Sequence, residues 1–209
     1  MTSARAIVDV YINPPTAQST IYIPKNTKFI AVCGSDTFTF TNEKAATIVP
    51  NRGVYVYKGL EIYEGTKLSE SFVVDGQARY VISNKDVDIS SIQVTVFDSI
   101  NDAIGTTYTR NTSIYGISEG STDKAYYVGP TYNDQYEVTF GRDVFGYEPA
   151  VNQIVQISYR ITKGSAANNI NNFTVQAIQT FPATVVTTSS SSGGADRESI
   201  EDIRYFAPK

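Results

Sequence analysis

Apolar and polar residues alternate with a period of two in short runs along most of the chain, and Gly, Pro, Asn and Asp interrupt the runs. Successive side chains of a β-strand point to opposite faces, so this pattern predicts half-buried strands and very little helix. Ala6 to Ile12 reads as a first strand, stopped by Asn13-Pro14-Pro15 because proline donates no ladder hydrogen bond and restricts the residue before it. Ser19 to Ile23 follows and ends at Pro24. Lys28 to Val32 and Thr37 to Thr41 form a predicted hairpin across Gly34-Ser35-Asp36, in which Phe38 and Phe40 alternate with threonines and leave one wet face. Ala46 to Val49 and Val54 to Tyr57 read as a second pair around Pro50-Asn51-Arg52-Gly53. Leu60 to Tyr63, Ser71 to Val74 and Ala78 to Ile82 continue the series.

Beyond Asp75 the strands lengthen. Ile92 to Asp98 places Ile92, Val94 and Val96 on one side and predicts a central strand, while Ser99 to Tyr108 reads as a loop or helical turn. Ala125 to Val128, Gln135 to Phe140 and Gln153 to Thr162 are three further strands, the last two joined through Gly141-Arg142-Asp143 and Gly146. Lys163 to Asn172 is small and polar, a return connection. Phe173 to Ile178 and Ala183 to Thr188 are predicted to add strands back onto the first unit. The expected fold is therefore mainly β, of β-sandwich-like units: a discontinuous β domain (1–75 and 166–188) and an inserted β-rich domain (76–165). A Ser/Gly linker (189–195) follows by composition. A short C-terminal helix (196–209) completes the reading, with Asp196 as N-cap, Glu198, Glu201 and Asp202 in its first half, and Arg204 near an end set by Pro208. Ile200, Ile203 and Phe206 recur every three residues along one side, and so short a helix needs something to dock on.

Composition narrows the function. The 209 residues are 41% hydrophobic and 18% charged, with 15 Tyr and 10 Phe, which sets the chain among folding sequences. A net charge of -4 and a pI near 4.9 provide no basic footprint for nucleic acid or anionic lipid. Histidine is absent, which removes imidazole-based triads, nitrogen-ligated zinc and histidine pH switches. Cys33 is the one cysteine, so no disulfide forms within the chain, and its place in Ile30-Ala31-Val32-Cys33 predicts a small buried hydrophobe. Residues 1–5 lead directly into a strand pattern without the n- and h-regions of a signal peptide, and no apolar run approaches the roughly 18 residues of a membrane span. A soluble protein made in a reducing cytoplasm is expected.

Candidate chemistry is sparse. Asn84-Lys85-Asp86-Val87-Asp88 carries the alternating oxygen ligands that begin a calcium loop, but Ile89 stands where that loop needs Gly and Thr95 where it needs Glu. Asn111-Thr112-Ser113 and Asn172-Phe173-Thr174 are glycosylation sequons that have meaning only in a secretory compartment. GxGxxG, GxxxxGK and GxSxG are missing, and no spacing selects a carboxylate pair from the 21 acidic residues. No catalytic, cofactor-binding or metal residue is assigned, and the chain is expected to be no enzyme. The tyrosines offer a sugar-stacking platform in principle, yet Tyr in alternating strands reads first as core or interface, and Trp is absent.

Three motifs carry a resemblance. The stretch from Gly193 to Lys209, with Gly193-Gly194, Asp196, Glu198-Ser199, Ile203-Arg204 and Ala207-Pro208, resembles a segment of the baseplate J-like family, the wedge subunits of contractile phage tails. Gln135 to Gly146 and Asn152 to Asn168 are similar, in order and spacing, to stretches of the wedge proteins of T-even-type phages. Ile23-Pro24-Lys25-Asn26-Thr27-Lys28-Phe29 is similar to the family's I-P-x-G-T-x-F turn, with Asn26 in place of Gly, a mild change because Asn tolerates a left-handed backbone. The family continues past the Ala-Pro with a further C-terminal region, so this chain resembles a fragment of it. The resemblance implies a structural subunit of a baseplate wedge in the virion tail, assembled in the bacterial host cytoplasm. Its implied partners are copies of itself, whose dimer contacts close a ring around the hub, other wedge subunits and a sheath initiator, with no nucleic acid, membrane or cofactor. Ile200, Ile203, Arg204 and Phe206 are the candidate interface. The alternative is a carbohydrate- or receptor-binding β module of a phage tail.

Overall fold

The computed structural model describes residues 1–77, 79–112, 123–131, 133–142 and 145–197. The chain folds as two compact units: Met1–Thr66 together with Thr162–Lys209, and Lys67–Ile161 between them. Both are β structures, and the one helical turn among the described residues is a 3₁₀ turn at Gly164–Ala167.

Unit 1 holds β1 (Arg5–Ile12), β2 (Ile21–Ile23), β3 (Lys28–Cys33), β4 (Asp36–Asn42), β5 (Ala46–Ile48), β6 (Tyr55–Glu64) and the last strand of the chain, β14 (Ala183–Ser192). Its main sheet runs β14-β1-β6-β4-β3, antiparallel throughout, and β2 pairs with β5. Alternation sets the inner face: Ala6, Val8, Val10 and Ile12 of β1 and Phe38 and Phe40 of β4 are buried with Phe29, Ile62, Ile170 and Phe173. Each Val, Ile or Phe among them contributes roughly 1.5–3 kcal/mol on leaving water.

Several expected pairings are corrected. β5 pairs with β2 and not with the strand after it, since Ile21 and Ile23 lie opposite Ile48 and Ala46 on one buried face. The two strands expected at Val54 to Tyr57 and Leu60 to Tyr63 merge from Tyr55 onward into the single strand β6, because Lys58 and Gly59 form a bulge opposite Asp9. Gly59 takes φ +71, and Asp9 Oδ1 accepts its amide at 2.8 Å, which removes the need for a turn there. The expected strand at Phe173 to Ile178 is reduced to isolated bridges at Thr174 and Ile178, its apolar residues entering the core one by one. Cys33 is exposed and not buried, since the inward alternation of β3 ends at Ala31 before the turn at Gly34.

The Ser189–Gly194 linker is also overturned over its first half. Ser189 to Ser192 extend β14 along β1. Ser191 is buried with its hydroxyl satisfied: Oγ donates to the Ala167 carbonyl at 2.6 Å and accepts the Ile170 amide at 2.8 Å. A buried hydroxyl with both partners is stable, so small polar residues here build a strand.

Unit 2 holds β7 (Thr66–Val73), β8 (Arg79–Val81), β9 (Val87–Phe97), β10 (Thr106–Arg110), β11 (Ala125–Pro130), β12 (Tyr136–Phe140) and β13 (Ile154–Ile161). They form one seven-stranded sheet in the order β7-β13-β9-β10-β11-β12-β8. This corrects the two-layered sandwich expected for the unit, because the parallel contact of β10 with β11 joins both halves into one curling sheet. Its end strands approach each other: the Phe72 and Tyr80 rings meet edge to face at 5.6 Å, and Glu70 of β7 accepts the Ser83 amide just past β8. The result is a near-barrel around Tyr80, Val94, Val138, Ile157 and Tyr159.

The unit boundaries differ from those expected at 75/76 and 165/166. β7 is a strand of the second sheet and sends Leu68 and Phe72 to its core, so the crossing lies at Thr66. On the return, Thr162 bonds Glu64 and Ala167 lies in the first core, so unit 1 resumes at Thr162.

Candidate functional site

Ile200, Ile203, Arg204 and Phe206, with the rest of the predicted helix from residue 198 onward, lie outside the described residues. The segment that leads to them is held by the N-terminal strand region. Thr2 and Ala195 exchange backbone hydrogen bonds at 2.9 and 3.1 Å, and Thr2 Oγ1 donates to the Gly193 carbonyl at 3.0 Å. Asp196, expected as the cap of that helix, turns its carboxylate to Ser165: Oδ1 accepts the amide at 2.9 Å and Oδ2 accepts the hydroxyl. The Ser165 hydroxyl and then its amide hold the Asp196 pKa below the usual carboxylate value.

Each unit has a buried polar cluster that could be mistaken for chemistry. In unit 1, Glu64 is 3% exposed, and its Oε2 accepts Thr162 Oγ1 at 2.6 Å and the Lys163 amide at 3.1 Å. Thr162 Oγ1 accepts the Gly164 amide at 3.1 Å in turn. The donors that face Glu64 are a hydroxyl and an amide, so the cluster fixes the start of the returning chain. Thr162→Val removes a hydrogen bond to a charged group and is expected to cost about 1.5–3 kcal/mol, with Thr162→Ser retaining most of the stability; urea denaturation of the two variants checks this.

In unit 2, Tyr159 is fully buried, its hydroxyl donates to Glu70 Oε1 and accepts from Asn84 Nδ2 at 2.5 Å, and Ser83 adds its hydroxyl to Glu70 at 2.9 Å. Burial, followed by the hydrogen bond to Glu70, pushes the Tyr159 phenol up to about 12. A base is not formed there at neutral pH. Tyr159→Phe leaves Glu70 and Asn84 without that partner and is expected to cost about 1–3 kcal/mol. The folded state holds the proton more tightly than the unfolded chain, so this tyrosine's contribution is complete below pH 10 and declines as pH rises toward about 12. Melting temperatures of wild type and Tyr159→Phe should therefore converge over that interval.

The calcium-loop candidates are drawn into protein bonds: Asn84 serves Tyr159, while Asp88 Oδ1 accepts the amide of Ser90 at 3.0 Å and its hydroxyl at 2.5 Å. Among the described residues no group of three or more His, Cys, Asp or Glu is placed to hold a metal ion, and no helix is long and apolar enough to cross a membrane. The sequon residues Asn111 and Asn172 lie in the described part without a bearing on these clusters.

The described residues line open recesses in both units. One in unit 1, of about 440 Å³, is lined by Glu43, Lys44, Tyr57, Leu60, Glu61 and Tyr63. The Tyr63 hydroxyl is engaged by Glu61 at 2.9 Å, and burial followed by that bond raises its pKa. Glu61 also pairs with Arg5 at 3.1 Å. One in unit 2, of about 330 Å³, is lined by Val96, Tyr108, Lys124, Tyr147 and Gln153 among others. Next to it stand apolar side chains that sequence reasoning did not single out, because they sit in loops outside any alternating run. Ile100 is 82% and Ile104 90% exposed, on a loop pinned by Asp102 Oδ2 accepting the Ser99 amide at 2.7 Å. Gln153 Nε2 donates to Asp98 Oδ1 at 2.7 Å, tying that loop to the one bearing exposed Val151. Fixed loops that present apolar side chains to solvent are a property of surfaces that meet other proteins.

No family model matches the chain. Over an alignment of 211 positions it is 23% identical to baseplate wedge protein gp6 of Enterobacteria phage T4, a match that covers 88% of this chain and 31% of that protein. The chain thus spans less than a third of the length of the curated relative it matches. The relationship is distant and extends through both units.

Proposed function

We propose that the chain is a structural subunit of a phage tail baseplate, acting as a wedge protein and residing in the virion tail. The observation that carries this reading is the match to a baseplate wedge protein along 88% of the chain. The polar clusters support it, since Glu64 accepts from Thr162 and Lys163, and the Tyr159 hydroxyl donates to Glu70 and accepts from Asn84, bonds within the chain that serve stability. The pinned apolar loops of unit 2 support it as well.

Within this proposal the subunit binds copies of itself, and these dimer contacts close a ring around the hub. It also contacts other wedge subunits and a sheath initiator, after assembly begins in the host cytoplasm. The segment 196–209 is a docking element, with Ile200, Ile203, Arg204 and Phe206 at the contact. Co-expression with the other proteins of the same tail gene cluster, followed by size exclusion with light scattering, tests the role. The expected result is co-elution at a mass above the sum of any two free subunits, and elution of the chain apart from all of them would oppose it.

A further inference from the structure

Residues 164–195 contain no Asp, Glu, Lys or Arg, while all 17 basic and 21 acidic residues of the chain lie elsewhere. This uncharged segment builds one flank of unit 1. It supplies β14, the end strand of the five-stranded sheet, and the loop beside it. The flank is wet but neutral: Thr184, Val186, Thr188, Ser189, Asn171 and Gln179 are exposed on it. Surfaces that meet water alone are ordinarily studded with charge, and edge strands in particular are protected by Lys, Pro or inward charges. β14 has none of these between Ala183 and Ser192.

The backbone at this edge is half covered. Near Ser191 the loop pairs with it, through the Asn169 amide to the Ser191 carbonyl at 2.7 Å and the Ser191 amide to the Ile170 carbonyl at 2.8 Å. At the other end, the Pro182 carbonyl accepts the Asn13 amide, so residue 182 faces β1 and the amides of Ala183, Val185 and Thr187 face away from it. Among the described residues no backbone–backbone bond reaches that outer edge from Ala183 to Thr187, and the loop touches this stretch at its Thr187 end, where the hydroxyl donates to the Asn171 carbonyl at 2.6 Å. Val186, 51% exposed, and Tyr11, 36% exposed, stand on the outward face next to it.

We infer that the β14 edge is a self-association surface, on which Ala183 to Thr187 of two copies pair antiparallel about a two-fold axis. The inference rests on the structural role proposed above and names the surface and the partner. In a two-fold contact the same patch meets itself, so any charge on it would meet its like. The segment 164–195 meets itself without that penalty. A charged partner would find nothing on this flank to select it, because complementary charge is what steers unlike partners together. The free length, about 17 Å at ~3.4 Å per residue, suits a short symmetric ribbon that adds the two sheets into one.

The test uses the whole chain and a Thr184→Lys/Val186→Lys variant. Both side chains are exposed, so the lysines blunt the edge without entering the core, and Thr184→Ser/Val186→Thr serves as the conservative control. Light scattering is expected to show the wild type and control approaching twice the 22.9 kDa chain mass at rising concentration. The double-lysine variant is expected to remain at the single-chain mass with an unchanged melting temperature. A dimeric double-lysine variant would overturn the edge assignment and leave the structural role standing. A monomeric wild type would overturn self-pairing on this edge, and co-elution with other tail proteins would then show separately whether the role survives.

Discussion

Phe40→Ala is expected to destabilise unit 1 by about 3–5 kcal/mol, the largest effect of any single truncation considered for this fold. Phe40 is fully buried in β4, opposite Phe29 across the hairpin, and its ring meets Phe173 edge to face at 4.9 Å. Phe173 belongs to the part of the chain that returns after unit 2 is complete. Truncation therefore leaves a cavity where the first and last thirds of the sequence join, and the return of β14 to β1 loses support. Hydrogen exchange should accelerate at the β1 and β14 amides by the factor that 3–5 kcal/mol implies, roughly two to four decades. Unchanged protection at those amides would show that the junction with Phe173 does not hold the unit together.

Asn42→Ala is expected to cost about 3 kcal/mol through lost hydrogen bonds, with little apolar surface involved. Asn42 is fully buried, and every polar atom of its side chain is used: Oδ1 accepts the Thr27 amide, and Nδ2 donates to the carbonyls of Pro24 and Lys44, each at 2.8 Å. Its own carbonyl accepts the Asn26 amide at 3.0 Å. The residue thus clamps the turn Ile23 to Phe29 onto β4, and Asn26 in that turn takes φ +63. Alanine would remove all three bonds, leaving the Thr27 amide and the Lys44 carbonyl without this partner and the Pro24 carbonyl with only the Thr27 hydroxyl, which donates to it at 2.7 Å. Asn42→Asp keeps the acceptor but loses both donors, so it should be no more stable than Asn42→Ala; a urea midpoint for Asn42→Asp near wild type would refute the clamp.

The left-handed Asn26 was legible because a small, polar side chain at the glycine position of an I-P-x-G-T-x-F turn has few other conformations to offer. The strands β1, β4 and β9 were legible for the same kind of reason: one face is buried and one wet, so period-two alternation records the geometry directly. Partner choice was not. Pro50 to Gly53 reads as a hairpin turn, yet β5 pairs with β2, because register is decided by which apolar faces meet and local turn chemistry cannot report that. Val54 to Tyr57 and Leu60 to Tyr63 were read as two strands because the bulge at Lys58 and Gly59 interrupts the alternation as a turn would. Ser189 to Ser192 looked like linker because composition does not show that Ser191 has two buried partners. The Glu64 and Tyr159 clusters were invisible for a further reason, since their members are far apart in sequence and only the folded chain collects them. The candidate interface residues Ile200, Ile203, Arg204 and Phe206 lie outside the described residues, and the exposed Ile100 and Ile104 sat in a stretch read as a loop or helical turn.

The physical account is consistent at each level. Unit 2 presents pinned apolar loops and unit 1 an uncharged strand edge, and both are available to other chains. Such a design suits a part held among neighbours, and the distant wedge relative points to the same place. The most direct test of the proposed role is to ask whether the chain resides in a tail: phage tails purified from the source of this sequence, labelled with gold-conjugated antibody against this chain and viewed by electron microscopy. The account predicts label confined to the baseplate end of the tail, and tails from which this chain is absent, or label along fibres alone, would contradict it.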